Sequence, residues 1–283
     1  SAPATTLDWV ALGFDISSAA FVDSFSVSAQ DTAPMGLAFN PDGSKMYMVG
    51  RSTPSVYQYA LSTNFDTSSA SYTQSFSVAS QENEPQEVAF NTAGTRMYVV
   101  ARNQSQAVLE YVLTTGFDIS SATYNQSFSV TAQDGSPHGL TFNSDGSKMF
   151  VVGVTNDTVY EYAVSTPLDI SSASFTRSFS VASQDLIPNG IRFNGDGTKM
   201  FIVGATNDSV YQYALSTGFD ISSTSYTQTF SVTTQDTDPQ AIAFNTDGTK
   251  MFILGAAGDT VDEYALGLLE LTLGTGSFAS ADV

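Results

Sequence analysis

QDGSPHGLTFNSDGSKMFVVGVTNDTVYEYAVSTPLDISSASFTRSFSV, from Gln133 to Val181, is one copy of a stretch that the chain repeats. The pattern opens at Gln30, Gln81, Gln133, Gln184 and Gln235, a period of 51 or 52 residues. Self-similarity at such a period marks a solenoid, a propeller or a repeat array.

Each copy resolves into four strand candidates. In the first copy they are GLAFN at Gly36–Asn40, KMYMVG at Lys45–Gly50, VYQYAL at Val56–Leu61 and SYTQSFSV at Ser71–Val78. Enrichment in Val, Ile, Phe and Tyr and the short lengths between turn clusters are strand signals. No window carries a 3.6-residue apolar period. Between the first two strands lies Asn40-Pro41-Asp42-Gly43, a tight hairpin in which Asn and Asp bond nearby backbone and Gly takes positive φ. The second copy, Asn91-Thr92-Ala93-Gly94, loses the Asp and keeps the Gly. Phe14-Asp15-Ile16-Ser17-Ser18 and its copies at Phe65, Phe117, Leu168 and Phe219 connect strands three and four, the Asp tying down a local turn.

Four antiparallel strands per repeat describe a propeller blade. The motif Pro34…Phe39-Asn40…Asp42-Gly43…Met46-Tyr47, with its four echoes, resembles the YVTN-type, lactonase-like propeller repeats, over residues 14–264. The resemblance implies a β-propeller with the GLAFN-type strand innermost. The departures are a longer unit and a Gln-Asp-x-x-Pro entry loop, Gln-Glu in the second copy, leading into the inner strands. The inner strand occurs five times and the fifth copy ends at its third strand, Val261–Leu266, while an unpaired fourth-type strand, Ala20–Val27, opens the chain. The expectation is therefore an all-β, five-bladed propeller of four-stranded antiparallel blades, closed by strand 20–27 joining the last blade. The rival is that Leu268–Leu273 supplies the last outer strand. Residues 1–13 read as a linker or a trimmed start, 14–266 as the propeller and 267–283 as an extension, the whole as a segment of a longer polypeptide.

Nine Lys and Arg stand against 28 Asp and Glu, a formal charge of −19. Phosphate contacts dominate nucleic-acid affinity, so such a chain is poorly suited to DNA or RNA and to anionic membrane surfaces. No apolar run approaches a membrane span. With no Cys, neither disulfides nor thiolate chemistry is available.

The loop before each inner strand carries a carboxylate: Asp31, Glu82, Asp134, Asp185 and Asp236. As a ring at one channel mouth they would suit Ca²⁺ or ordered water, since hard cations favour oxygen ligands; alternatively each caps its own loop through backbone amides. After the loop proline comes the most variable position, Met35, Gln86, His138, Asn189 and Gln240. These residues would line the same mouth, as a binding rim or as unconstrained exposed positions. His138 is the only histidine, and no Ser or Cys motif joins it to Asp134. Arg192 and Glu87 break the pattern of their inner strands and suit an ion pair or a ligand contact. Lys45, Arg96, Lys148, Lys199 and Lys250 read as hairpin-edge solvation. Tyr57, Tyr160 and Tyr211 suit interblade packing, or the stacking of sugars.

Catalysis needs an asymmetric set of groups, and near-identical blades repeat the same ones. The leading expectation is thus a non-catalytic display or adhesion module on a virion or extracellular surface. It would bind a protein or glycan partner through loops, or neighbouring copies through blade edges or Leu268–Leu273. The runner-up is a lactonase-like hydrolase around His138, Asp134 and Asp185, as the resemblance implies; a third reading is a purely structural assembly subunit.

Overall fold

Asn40 closes the first hairpin of the ring with its own side chain. Its Oδ1 accepts the Lys45 amide at 2.8 Å and its carbonyl accepts the Gly43 amide at 3.0 Å. Gly43 sits at φ +73°, and a Cβ there would come within 2.1 Å of the Phe65 ring. Glycine therefore serves both the left-handed turn and the loop packed over it. The turn joins β2 (Pro34–Phe39) to β3 (Lys45–Gly50); β4 (Ser55–Leu61) and β5 (Ala70–Ser77) complete an antiparallel blade.

The computed structural model describes residues 13–267, and in it the same blade is built five times. Blade two comprises β6 (Pro85–Phe90), β7 (Arg96–Ala101), β8 (Ala107–Leu113) and β9 (Ala122–Ser129); blade three comprises β10 (Pro137–Phe142), β11 (Lys148–Gly153), β12 (Thr158–Val164) and β13 (Ala173–Ser180). Blade four comprises β14 (Pro188–Phe193), β15 (Lys199–Gly204), β16 (Ser209–Leu215) and β17 (Thr224–Ser231). Blade five takes β18 (Pro239–Phe244), β19 (Lys250–Gly255) and β20 (Thr260–Ala265), and its outer strand is β1 (Ala20–Ser26). The pairing runs from Ala20 opposite Ala265 to Ser26 opposite Thr260. The innermost strands neighbour one another in order, β18 meeting β2 to close the ring. The N-terminal closure is thus as the repeat count requires. Phe14 donates its amide to the Gly248 carbonyl at 2.8 Å, as Phe65 does to Gly43 at 3.0 Å, so residues 14–26 supply the last blade with its connecting loop as well as its outer strand. Leu7–Leu12 and the rival strand Leu268–Leu273 lie outside the described residues.

Burial grades outward. Inner strands are buried almost throughout, whereas β5 alternates only between half-buried and exposed positions. Aromatic side chains fill the seams: the Phe39 ring centroid lies 4.6 Å from that of Phe252 in blade five, and Phe90 lies 4.4 Å from Tyr47 in blade one. The lysines after the hairpins are not edge solvation. Lys45, Lys148, Lys199 and Lys250 donate to the Phe117, Phe219, Phe14 and Phe65 carbonyls of the next blade at 2.6–2.9 Å. Each of these lysines is therefore a clasp across the seam between two blades.

Candidate functional site

The two ends of the central channel differ. At the end where the Gln-Asp-x-x-Pro loops enter, each carboxylate is enclosed by its own blade. Asp31 Oδ1 accepts the amides of Ala33 and Ser52 at 2.8 and 3.1 Å, and Oδ2 accepts the Thr53 amide at 2.9 Å. Asp134, Asp185 and Asp236 repeat this clasp. Glu82 does so with the amides of Glu84, Asn103 and Gln104. Loop capping is what the geometry shows; among the described residues no group of three or more His, Asp or Glu side chains is placed to hold a metal ion. Tyr57, Tyr160 and Tyr211 are buried, with hydroxyls 3.1–3.3 Å from the clasp carboxylates of Asp31, Asp134 and Asp185. Their rings are therefore not sugar-stacking platforms.

The variable ring is also buried, at 3–7% exposure across Met35, Gln86, His138, Asn189 and Gln240, which corrects the reading of these residues as an exposed rim. Met35 packs in the core beside Val49 and Val88. Gln86 donates to the Glu84 carbonyl at 2.9 Å, and Gln240 to Asp238 Oδ1 at 2.6 Å. His138 and Asn189 meet directly, Nδ1 to Oδ1, at 2.9 Å. Ser136, which spacing alone did not single out, places its hydroxyl 3.4 Å from His138 Nε2 and accepts from Arg102 Nε at 3.0 Å. Burial, then the nearby Arg102 charge, brings the imidazole down to about 4, the Asn189 bond opposing and Arg51 assisting.

The channel itself is crossed by one ion pair. Arg192 of blade four donates to Glu87 of blade two at 3.2 Å, to the Leu140 carbonyl at 3.0 Å and to the Leu37 carbonyl at 2.7 Å. Glu87 returns to blade one by accepting the Leu37 amide at 3.1 Å. Burial pushes its carboxyl above the usual carboxylate range, against the pull of Arg192 and the Val88 and Leu37 amides. The pair is the structural bridge that the sequence allowed, but it spans the channel.

On the hairpin side of this bridge lies a funnel of about 390 Å³. Its wall carries Phe39, Phe90, Phe142, Phe193 and Phe244, all partly buried, and Arg192 lines it from the bridge. The copied hairpins read aliphatic-x-Phe-Asn-x, the first residue being Leu37, Val88, Leu140, Ile191 or Ile242. The first x is Ala38, Ala89, Thr141, Arg192 or Ala243; the second is Pro41, Thr92, Ser144, Gly195 or Thr246, and all ten residues line the funnel. This recess opens at the mouth opposite the one where the carboxylate loops enter. The Asn residues between are spent on their turns, as at Asn40, Asn143 and Asn245.

The sequence matches no protein family and no curated protein. Among solved structures, the Cps50 (Swd1) β-propeller domain of Myceliophteria thermophila is similar with a TM-score of 0.51 and 8% identity, over 88% of this chain and 99% of that one. A Bacteroides uniformis protein named as a candidate 6-phosphogluconolactonase is similar with a TM-score of 0.50 and 15% identity, over 85% and 68%. The periplasmic gluconolactonase of Pseudomonas aeruginosa gives 0.49 and 16%, over 78% and 64%. The chain spans 62% of another match, a functionally unknown protein from Desulfotomaculum acetoxidans. At these identities the likeness is one of fold, and it agrees at that level with the lactonase-like propeller resemblance.

Proposed function

We propose that this propeller is a ligand-capture module whose site is the hairpin-face funnel, and that it takes a neutral saccharide end of a glycan. One observation carries the reading: among nearly copied hairpins, the ten positions at the two variable sites all face this recess. Variation on a fixed scaffold is how loops acquire specificity. The size, about 390 Å³, lies in the range of small-ligand sites, which combine apolar walls with a few convergent polar groups. Phe rings supply the walls, and Thr92, Thr141, Ser144 and Thr246 the hydroxyls. Arg192 already donates to Glu87 and to the Leu37 and Leu140 carbonyls, which favours an uncharged ligand. The acidic, cysteine-free surface suits display outside a cell or on a virion.

The test is saccharide-array binding by the wild type and by Gly195→Trp. Gly195 lines the recess, and a Cβ there meets nothing within 4 Å, so a side chain can be added without a clash at its root; a melting point equal to the wild type's checks that the variant is folded. Binding by the wild type that falls at least tenfold in the variant supports the reading. No saccharide bound, or equal binding by both, removes it.

A further inference from the structure

We propose that Ser136 is an acyl-accepting nucleophile, with His138 as its base, at the mouth opposite the funnel, acting on small esters. Three contacts place the groups. Ser136 lies in the bend that leads into β10 and His138 on that strand, with Oγ and Nε2 3.4 Å apart. Asn189 donates its Nδ2 to the Pro239 carbonyl at 3.0 Å, which turns Oδ1 toward His138 Nδ1 at 2.9 Å. That oxygen can only accept, so Nδ1 carries the ring proton and Nε2 presents its lone pair to Ser136. A nucleophile, a base and a third group that orients the base form the pattern of an activated serine.

The surroundings fit. Arg102 Nε donates to the Ser136 hydroxyl oxygen at 3.0 Å and stabilises the alkoxide, which offsets the weakness of a buried imidazole as base. Asp134 Oδ1 accepts the Ser136 amide at 2.7 Å and pins the loop. Thus Asp134 positions the backbone, and Asp185 serves only its own loop. Ser136 is partly exposed while His138 lies behind it. Beside it, a Cβ on Gly135 would meet only Thr155 Oγ1, at 3.7 Å, leaving space for a carbonyl. On the next blade, Leu186 and Ile187 are exposed where the other blades carry mostly polar residues, a place for the apolar part of an ester.

In the first step the Oγ lone pair bonds to the carbonyl carbon and the Oγ proton passes to His138 Nε2. The bond to the leaving oxygen then breaks, and that oxygen takes the proton from Nε2. Water, deprotonated by the same nitrogen, attacks the acyl-serine; Oγ leaves with the proton and the free acid departs.

A fluorophosphonate probe with peptide mapping tests this, since serine attack on phosphorus expels fluoride and leaves a stable adduct. The expected result is an adduct at Ser136, absent in Ser136→Ala and formed about a hundredfold more slowly in His138→Gln, the scale of general-base assistance. Asn189→Ala is expected to shift the pH profile of labelling, because the ring loses its tautomer lock; should His138→Gln not fold, this variant carries the test. No adduct at Ser136, adducts spread over surface serines, or a rate and pH profile unchanged in the variants overturns the proposal. The outcome is independent of the funnel, which lies at the other end of the channel.

Discussion

Glu82 reaches past Ala101 to the amides of Asn103 and Gln104, whereas in the four other blades an aspartate makes the clasp beside a glycine. At Gly50, Gly153, Gly204 and Gly255 a Cβ would lie 2.0–2.3 Å from the aspartate carboxyl carbon. The longer acid therefore accompanies the larger neighbour. Glu82→Asp is expected to strand buried amides, at a cost of about 1–3 kcal/mol. The double variant Glu82→Asp, Ala101→Gly should recover most of it. Urea unfolding of the four species of this cycle measures the coupling, and additive effects would contradict it.

Blade five breaks the tyrosine clasp. Asp262 stands where Tyr57, Tyr160 and Tyr211 stand in three other blades. Its Oδ2 is buried without a partner, and burial, with Asp236 nearby, raises its carboxyl above the ordinary value. A raised acid destabilises the fold above its unfolded value and ceases to do so as pH falls. Asp262→Tyr is expected to stabilise by about 1–2 kcal/mol at neutral pH, with the gain shrinking as pH drops toward 4. Thermal melts at pH 7 and pH 4 check both parts.

His138 titrates far below its unfolded value of 6.5, at about 4. As pH falls through that window the unfolded chain takes up a proton that the fold refuses. Stability is therefore present above 6.5 and declines toward 4, by about 3 kcal/mol in all. His138→Gln should remove this part of the slope. Denaturant midpoints at half-unit pH intervals show it, and parallel curves for both proteins would refute it.

Ring closure rests on residues 14–26. Removing everything through Ser26 exposes the β20 edge, and such edges recruit strands. The truncated protein is expected to melt lower and self-associate, and a synthetic peptide spanning 13–28 should restore the melting point in proportion to its concentration. An unchanged melting point would mean that β1 contributes nothing to closure.

Much of this was legible in the residues. The period, the Asn-x-Asp-Gly hairpins and the unpaired 20–27 segment dictate five blades and their closure, because each is a local or repeated signal. The clasp of each leading carboxylate was one of two readings left open, and geometry alone chose it. Arg192 and Glu87 are 105 residues apart, and nothing local says that they meet across the channel. The Ser136–His138–Asn189 set was half visible. Asn189 lies one period beyond His138, and aligning the copies puts both at the same variable position; that their side chains meet, and that Ser136 joins them, only the geometry shows. The funnel escaped notice because its lining is spread a few residues at a time over all five blades, and alanine, threonine and glycine carry no chemical flag.

The most direct measurement of where this ring binds is methyl NMR during titration with the saccharide selected on the array. Thr92, Thr141 and Thr246 report on the funnel, and Leu186 and Ile187 on the far mouth. Shifts confined to the three threonine methyls are expected; shifts at Leu186 and Ile187 with the threonines still would contradict the funnel as the site of capture.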